Sequence, residues 1–87
     1  MTEHFYAQAG NVVLIIETDS TSTAVFLYTF FPDGFIGDNW FSDIDDAKAQ
    51  AAHNASGFPG AIGLWKSIPP EVSDLMEFGK GLLKNSN

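Results

Sequence analysis

Val12-Val13-Leu14-Ile15-Ile16 is an unbroken apolar run in which four of the five residues are β-branched. Such a run reads as a central strand covered on both faces of a sheet. On its N-terminal side residues 3–9 alternate. Phe5, Ala7 and Ala9 fall on one side and His4, Tyr6 and Gln8 on the other, the period of a half-buried strand. Gly10-Asn11 joins these two strands as a turn. On the C-terminal side, Asp19-Ser20-Thr21-Ser22 is a polar loop of turn formers, and Ala24 to Phe31 is a third strand rich in aromatics. Pro32-Asp33-Gly34 ends that strand, and Phe35-Ile36 begins a short return strand. The first half is a β-meander.

The period changes over residues 42–56. Ser42-Asp43-Ile44-Asp45 matches a capping box, with the Ser42 oxygen expected to accept a free backbone N–H. Asp43, Asp45 and Asp46 crowd the first turn, where the helix dipole favours negative charge. Ile44, Ala47, Ala51 and Ala55 form one face, Gly57 is the expected C′ residue, and Pro59 lies just beyond. Alanine keeps this helix thin, so it suits a close approach to a sheet of large residues. Gly60 to Gly63 reads as a link. Ile62, Leu64, Lys66 and Ile68 then alternate against Trp65, predicting a strand over 62–68 that Pro69-Pro70 stops. From Pro70, expected in the first turn, Val72, Leu75, Met76, Gly79, Leu82 and Leu83 recur at helical spacing. Gly79 and Gly81 each weaken that helix by about 1 kcal/mol, which predicts a fraying end. The expected fold is α+β, in one domain over residues 1–87. An antiparallel sheet of three to five strands is packed by one Ala-rich helix, with a further strand and a short C-terminal helix.

With 87 residues, folding buries roughly 60–65% of the surface that the unfolded chain exposes, so most large apolar residues are needed for the core. The absence of cysteine excludes disulfides, thiolate metal sites and a cysteine nucleophile, and suits a reducing compartment. No apolar run approaches the ~20 residues of a membrane helix, and Met1 to Gly10 lacks the pattern of a signal peptide. A cytoplasmic location is therefore expected. Eleven acids against four lysines (Lys48, Lys66, Lys80, Lys84) give a net charge of −7, with no arginine. Nucleic acid and anionic membrane surfaces would meet repulsion over most of such a chain. A basic protein is the natural complement, although the same charge also serves solubility.

Candidate chemistry is sparse. His4 lies on the polar side of the first strand and His53 near the end of the helix, and no nucleophile motif accompanies either. Structural roles are expected for both, and no catalytic residue, metal or cofactor is assigned. Asp33, Asp38, Asp43, Asp45 and Asp46 place five carboxylates within fourteen residues without a base among them, yet the calcium-loop pattern fails at the residues after Gly34. Asp38 with Asn39 remains as a weak divalent site. Gly57 to Gly63 lacks the spacing of a phosphate-binding loop, and the Asn54-Ala55-Ser56 triplet sits on the predicted helix. What remains is aromatic. Phe35, Trp40 and Phe41 flank Gly37-Asp38-Asn39, the composition of a protein-binding patch with tryptophan as its anchor. The alternative is that Trp40 and Phe41 fold over the helix start as a hydrophobic staple.

Asp33-Gly34-Phe35-Ile36-Gly37-Asp38-Asn39-Trp40, then Asp45-Asp46-Ala47-Lys48-Ala49-Gln50-Ala51 and Leu64-Trp65-Lys66-Ser67-Ile68-Pro69, resembles a group of small acidic bacterial proteins. Some similar proteins act as immunity partners of toxins. The match covers residues 33–69 and carries no catalytic residues. A looser similarity is to HicB-type antitoxins, which also run strands into a Gly-Asp turn and an acidic, Ala-rich helix. The chain departs from that family in lacking its Pro-Gly-Cys segment and any C-terminal DNA-binding appendage. These resemblances imply an immunity or antitoxin-like inhibitor.

The combined expectation is a non-enzymatic, acidic domain that docks a basic protein through Phe35, Asp38, Trp40, Asp45 and Asp46. A homodimer hiding a spare sheet face is a further expectation. A small-molecule binder or minor enzyme, with a cleft between sheet and C-terminal helix, and a self-associating structural protein are the alternatives.

Overall fold

Val13, Leu14, Ile15 and Ile16 are completely buried, because the strand that carries them has layers on both sides. The computed structural model describes residues 2–19, 24–55 and 65–84. The elements are β1 (Thr2–Ala9), β2 (Val12–Asp19), β3 (Val25–Phe30), β4 (Ile36–Phe41), α1 (Ile44–Asn54), β5 (Lys66–Ser67) and α2 (Leu75–Lys84). The strands form one antiparallel sheet in the order β4-β3-β2-β1-β5. The α+β class and the meander agree with the sequence reading. After β4 the chain crosses by way of α1 to the far edge, where Ile68 extends the pairing through its N–H to the His4 carbonyl, 2.9 Å away.

Alternation sorts the sheet into two cores. On one face Ala9, Val12, Leu14, Ile16, Val25 and Leu27 pack against Ala47, Ala51 and Ala55 of α1. On the other, Val13, Ile15, Phe30 and Ile68 meet Leu75, Met76, Phe78, Leu82 and Leu83 of α2. The helices thus lie on opposite faces. On the face that motivated the homodimer expectation, α2 packs over the part that carries Val13, Ile15 and Phe30. The Tyr6 and Phe78 rings meet edge to face at 5.2 Å. Where a cleft between sheet and α2 was expected, Phe30 packs against α2 and lies close to Gly79.

The turns explain the register. Ala9 pairs with Val12 across the two-residue turn Gly10-Asn11, and only Gly10 has positive φ (62°), the pattern of a type II′ hairpin. At the next hairpin Gly34 adopts φ 97°, while Asp33 Oδ1 accepts the Phe35 N–H at 2.9 Å.

Three local expectations need correction. Asp43, not Ser42, caps α1: its backbone is extended and its Oδ1 accepts the Asp46 N–H at 2.8 Å. The second helix starts at Leu75 rather than Pro70. Val72 bonds back to Pro69 in a turn, and Asp74 Oδ1 accepts the N–H groups of Met76 and Glu77, each at 3.1 Å. The return strand is longer than Phe35-Ile36 suggested, since β4 pairs with β3 along its whole length. Of the strand predicted over 62–68, Lys66–Ser67 is β5. Gly57, Pro59, Gly60, Ile62, Gly63 and Leu64 lie outside the described residues, as do Ser20, Thr21 and Ser22 of the first loop.

Candidate functional site

The register places His4 opposite Glu17, Glu17 opposite Phe26, and Phe26 opposite Trp40, one side-chain row across four strands. Ile36 belongs to the α2-side core and alternates with Asp38 and Trp40, so all three lie on that face. The row sits beyond the part of the sheet that α2 covers. Its members are accordingly half-buried or exposed, and Trp40 retains 61% of its surface.

Glu17 is the hub. Its Oε2 lies 2.9 Å from His4 Nε2, and its Oε1 accepts the Tyr28 hydroxyl at 3.2 Å. Tyr28 stands one row lower, opposite both Ile15 and Asp38. Burial, then the Glu17 and Asp38 carboxylates, push the Tyr28 phenol up to about 12. It is therefore a hydroxyl donor at neutral pH and not a phenolate nucleophile. What results is a partly screened carboxylate held by two donors, with a second carboxylate, Asp38, on the rim. An indole and a phenyl ring extend beside them. This surface suits a cation, which gains from the aromatic faces and from the carboxylates together.

The five residues expected to form one patch are divided by the sheet. Asp38 and Trp40 share the α2-side face. Phe35 is also exposed, at 63%, but its ring lies 5.8 Å from that of Phe31, which packs into the α1-side core. A β-carbon built on Gly37, on that same face, would touch both rings at 3.8 Å. Asp45 and Asp46 are exposed in the first turn of α1, again on the α1 side. Asp38 and Asn39, consecutive in β4, point to opposite faces, so they do not converge as a divalent pair. Among the described residues no three His, Asp or Glu side chains are grouped to hold a metal. The aromatic alternative also divides: Trp40 is exposed, whereas Phe41 packs with Ile44 against the α1-side core.

Asn54, first of the Asn-Ala-Ser triplet, is engaged elsewhere. Its Nδ2 donates to Thr29 Oγ1 at 2.9 Å and its Oδ1 accepts from Gln50 at 2.8 Å, which satisfies the one buried polar side chain of the described sheet. Glu17, Phe26 and Tyr28 were not singled out from sequence. The hairpin at Gly10-Asn11 was the available signal, because a two-residue turn fixes His4 opposite Glu17. No protein-family model, curated protein or solved structure matches the chain. Among the described residues no helix is long and apolar enough to cross a membrane.

Proposed function

We propose that the protein is a small, acidic, non-enzymatic binding domain that docks a basic protein on the uncovered end of its α2-side sheet face. The observation that carries this reading is Trp40, 61% exposed on an edge strand beside Asp38 and in line with Phe26 and Glu17. A tryptophan kept out of the core of so small a chain forgoes roughly 2 kcal/mol of burial, so its placement calls for a use outside the fold. Net charge −7 steers a basic partner inward, and the aromatic pair holds it. Masking a basic functional surface in this way is how an immunity or antitoxin-like inhibitor would act. The cytoplasm is the compartment that reading assumes.

The test is capture with two baits, wild type and Trp40→Ala, followed by mass spectrometry and salt elution. One basic protein held by wild type, released by salt and lost with Trp40→Ala is expected. Equal retention by both baits, or nucleic acid as the captured species, would sink the reading. A second reading, a small polar ligand on the His4–Glu17–Tyr28 group, is favoured by the convergence of those side chains. Ligand-induced shifts of the His4 ring without protein capture would select it.

A further inference from the structure

The backbone of β4 carries the surface one step further. Phe31 donates its N–H to the Phe35 carbonyl at 2.9 Å, which makes that pair a hydrogen-bonded one. Hydrogen-bonded and open pairs alternate along an antiparallel ladder. Gly37, Asn39 and Phe41 therefore turn their amides and carbonyls towards β3, and Ile36, Asp38 and Trp40 turn theirs outward. Since β4 is the end strand of the sheet, these outward groups face no further strand among the described residues. The two side chains best suited to a cation, Asp38 and Trp40, sit on the same residues that offer free main-chain hydrogen bonds.

We propose that the open edge of β4 accepts an extended segment of the partner as an added antiparallel strand, with lysine or arginine at alternate positions opposite Asp38 and Trp40. This rests on the basic-partner reading above and names the form in which that partner is held. Residues directly opposite one another in a ladder share a face. A basic residue paired with Asp38 thus meets its carboxylate and, diagonally, the Trp40 indole. The sequence from Asp33 to Asp46, which builds this edge and both its ends, holds five aspartates and no base. A second copy of the chain is the poorer occupant. Pairing β4 with itself through its outward groups at greatest overlap sets Asp38 against Asp38, and each copy carries a net charge of −7. At the other edge, β5 is only two residues long.

The experiment uses the whole protein and a short peptide alternating lysine with threonine. Two further peptides carry backbone N-methyl groups on the lysines or on the threonines, and a fourth replaces lysine by glutamate. The lysine peptide is expected to bind and to slow amide exchange at Asp38 and Trp40, while Gly37 and Asn39, already bonded to β3, change little. Methylating the lysines, whose N–H groups face β4, should weaken binding about tenfold or more, whereas methylating the threonines should be tolerated. The glutamate peptide should not bind. Binding that is indifferent to methyl position, with no new protection at Asp38 and Trp40, overturns edge pairing and leaves the basic-partner reading standing. No binding of any lysine peptide overturns the inference, and the two-bait capture then decides the broader reading by itself. Protection of the same amides in the free protein as its concentration rises would assign the edge to a second copy and overturn it too.

Discussion

Gly79 of α2 lies so close to Phe30 of β3 that a β-carbon there would come within 2.5–2.8 Å of the ring. Phe30 is completely buried, so its ring yields only by displacing its neighbours in the core. Gly79→Ala should therefore destabilise the protein by about 1–3 kcal/mol despite alanine's better helix propensity. A β-carbon on Gly81 meets nothing within 4 Å, and Gly81→Ala should stabilise by roughly 0.5–1 kcal/mol. Urea unfolding of both variants checks the contrast. Equal effects of one sign would refute the close contact.

Each helix start depends on one aspartate. Asp43→Ala and Asp74→Ala should each cost about 1 kcal/mol, and Ser42→Ala close to nothing. A larger loss from Ser42→Ala than from Asp43→Ala would restore the capping box that the sequence suggested. Thermal melts of the three variants distinguish the cases.

Tyr28 makes the protein sensitive to alkali. Its folded pKa, about 12, stands above the ordinary value of 10.0, so the folded state holds the phenolic proton more tightly than the unfolded chain. That contribution to stability is intact below pH 10 and lost as the pH rises towards 12. Tyr28→Phe should flatten the fall in stability over that window, measured by denaturation at stepped pH. Identical slopes in wild type and variant would show that Glu17, Asp38 and burial do not act on Tyr28 in this way.

Most of the architecture was legible because its signals are local. The run Val12 to Ile16, the turn at Gly10-Asn11 and the alanine stripe of α1 each specify their own geometry. The start of α2 was misread because Pro70 and the side chain of Asp74 both favour a helix start, and the actual hydrogen bonds select Asp74. Gly79 looked like a weakness for a related reason: its value depends on Phe30, 49 residues earlier in the chain, which no local pattern reveals. The expected patch splits because composition groups Phe35, Asp38 and Trp40 by nearness in the chain, while the return strand was expected to be short. Once residues 36–41 are a strand, alternation sends Asp38 and Trp40 to one face and leaves Phe35 with Phe31 on the other. Composition located the acidic, aromatic segment, but only the pairing register joined it to His4, Glu17 and Phe26.

The two exposed large aromatics among the described residues, Trp40 and Phe35, supply the sharpest comparison. Trp40→Ala removes a side chain that is 61% exposed and stands opposite Phe26 in the ladder, so stability should fall by no more than about 1 kcal/mol. Binding of the basic partner should weaken by roughly 2 kcal/mol, about thirtyfold, as for an interfacial anchor. Phe35→Ala removes an equally exposed ring from the opposite side of the sheet and should leave binding within about twofold, since surface changes away from a contact stay near 0.5 kcal/mol. Asp38→Asn should act mainly on the association rate and reduce its dependence on salt, because a rim charge steers more than it holds. Calorimetry for affinity and stopped flow for rates, run beside thermal melts, separate these effects. If Phe35→Ala weakened binding as much as Trp40→Ala, the docking surface would have to wrap both faces around the β4 edge. A Trp40→Ala variant that melted far below wild type with unchanged affinity would return the indole to the fold and remove the anchor from the proposed interface.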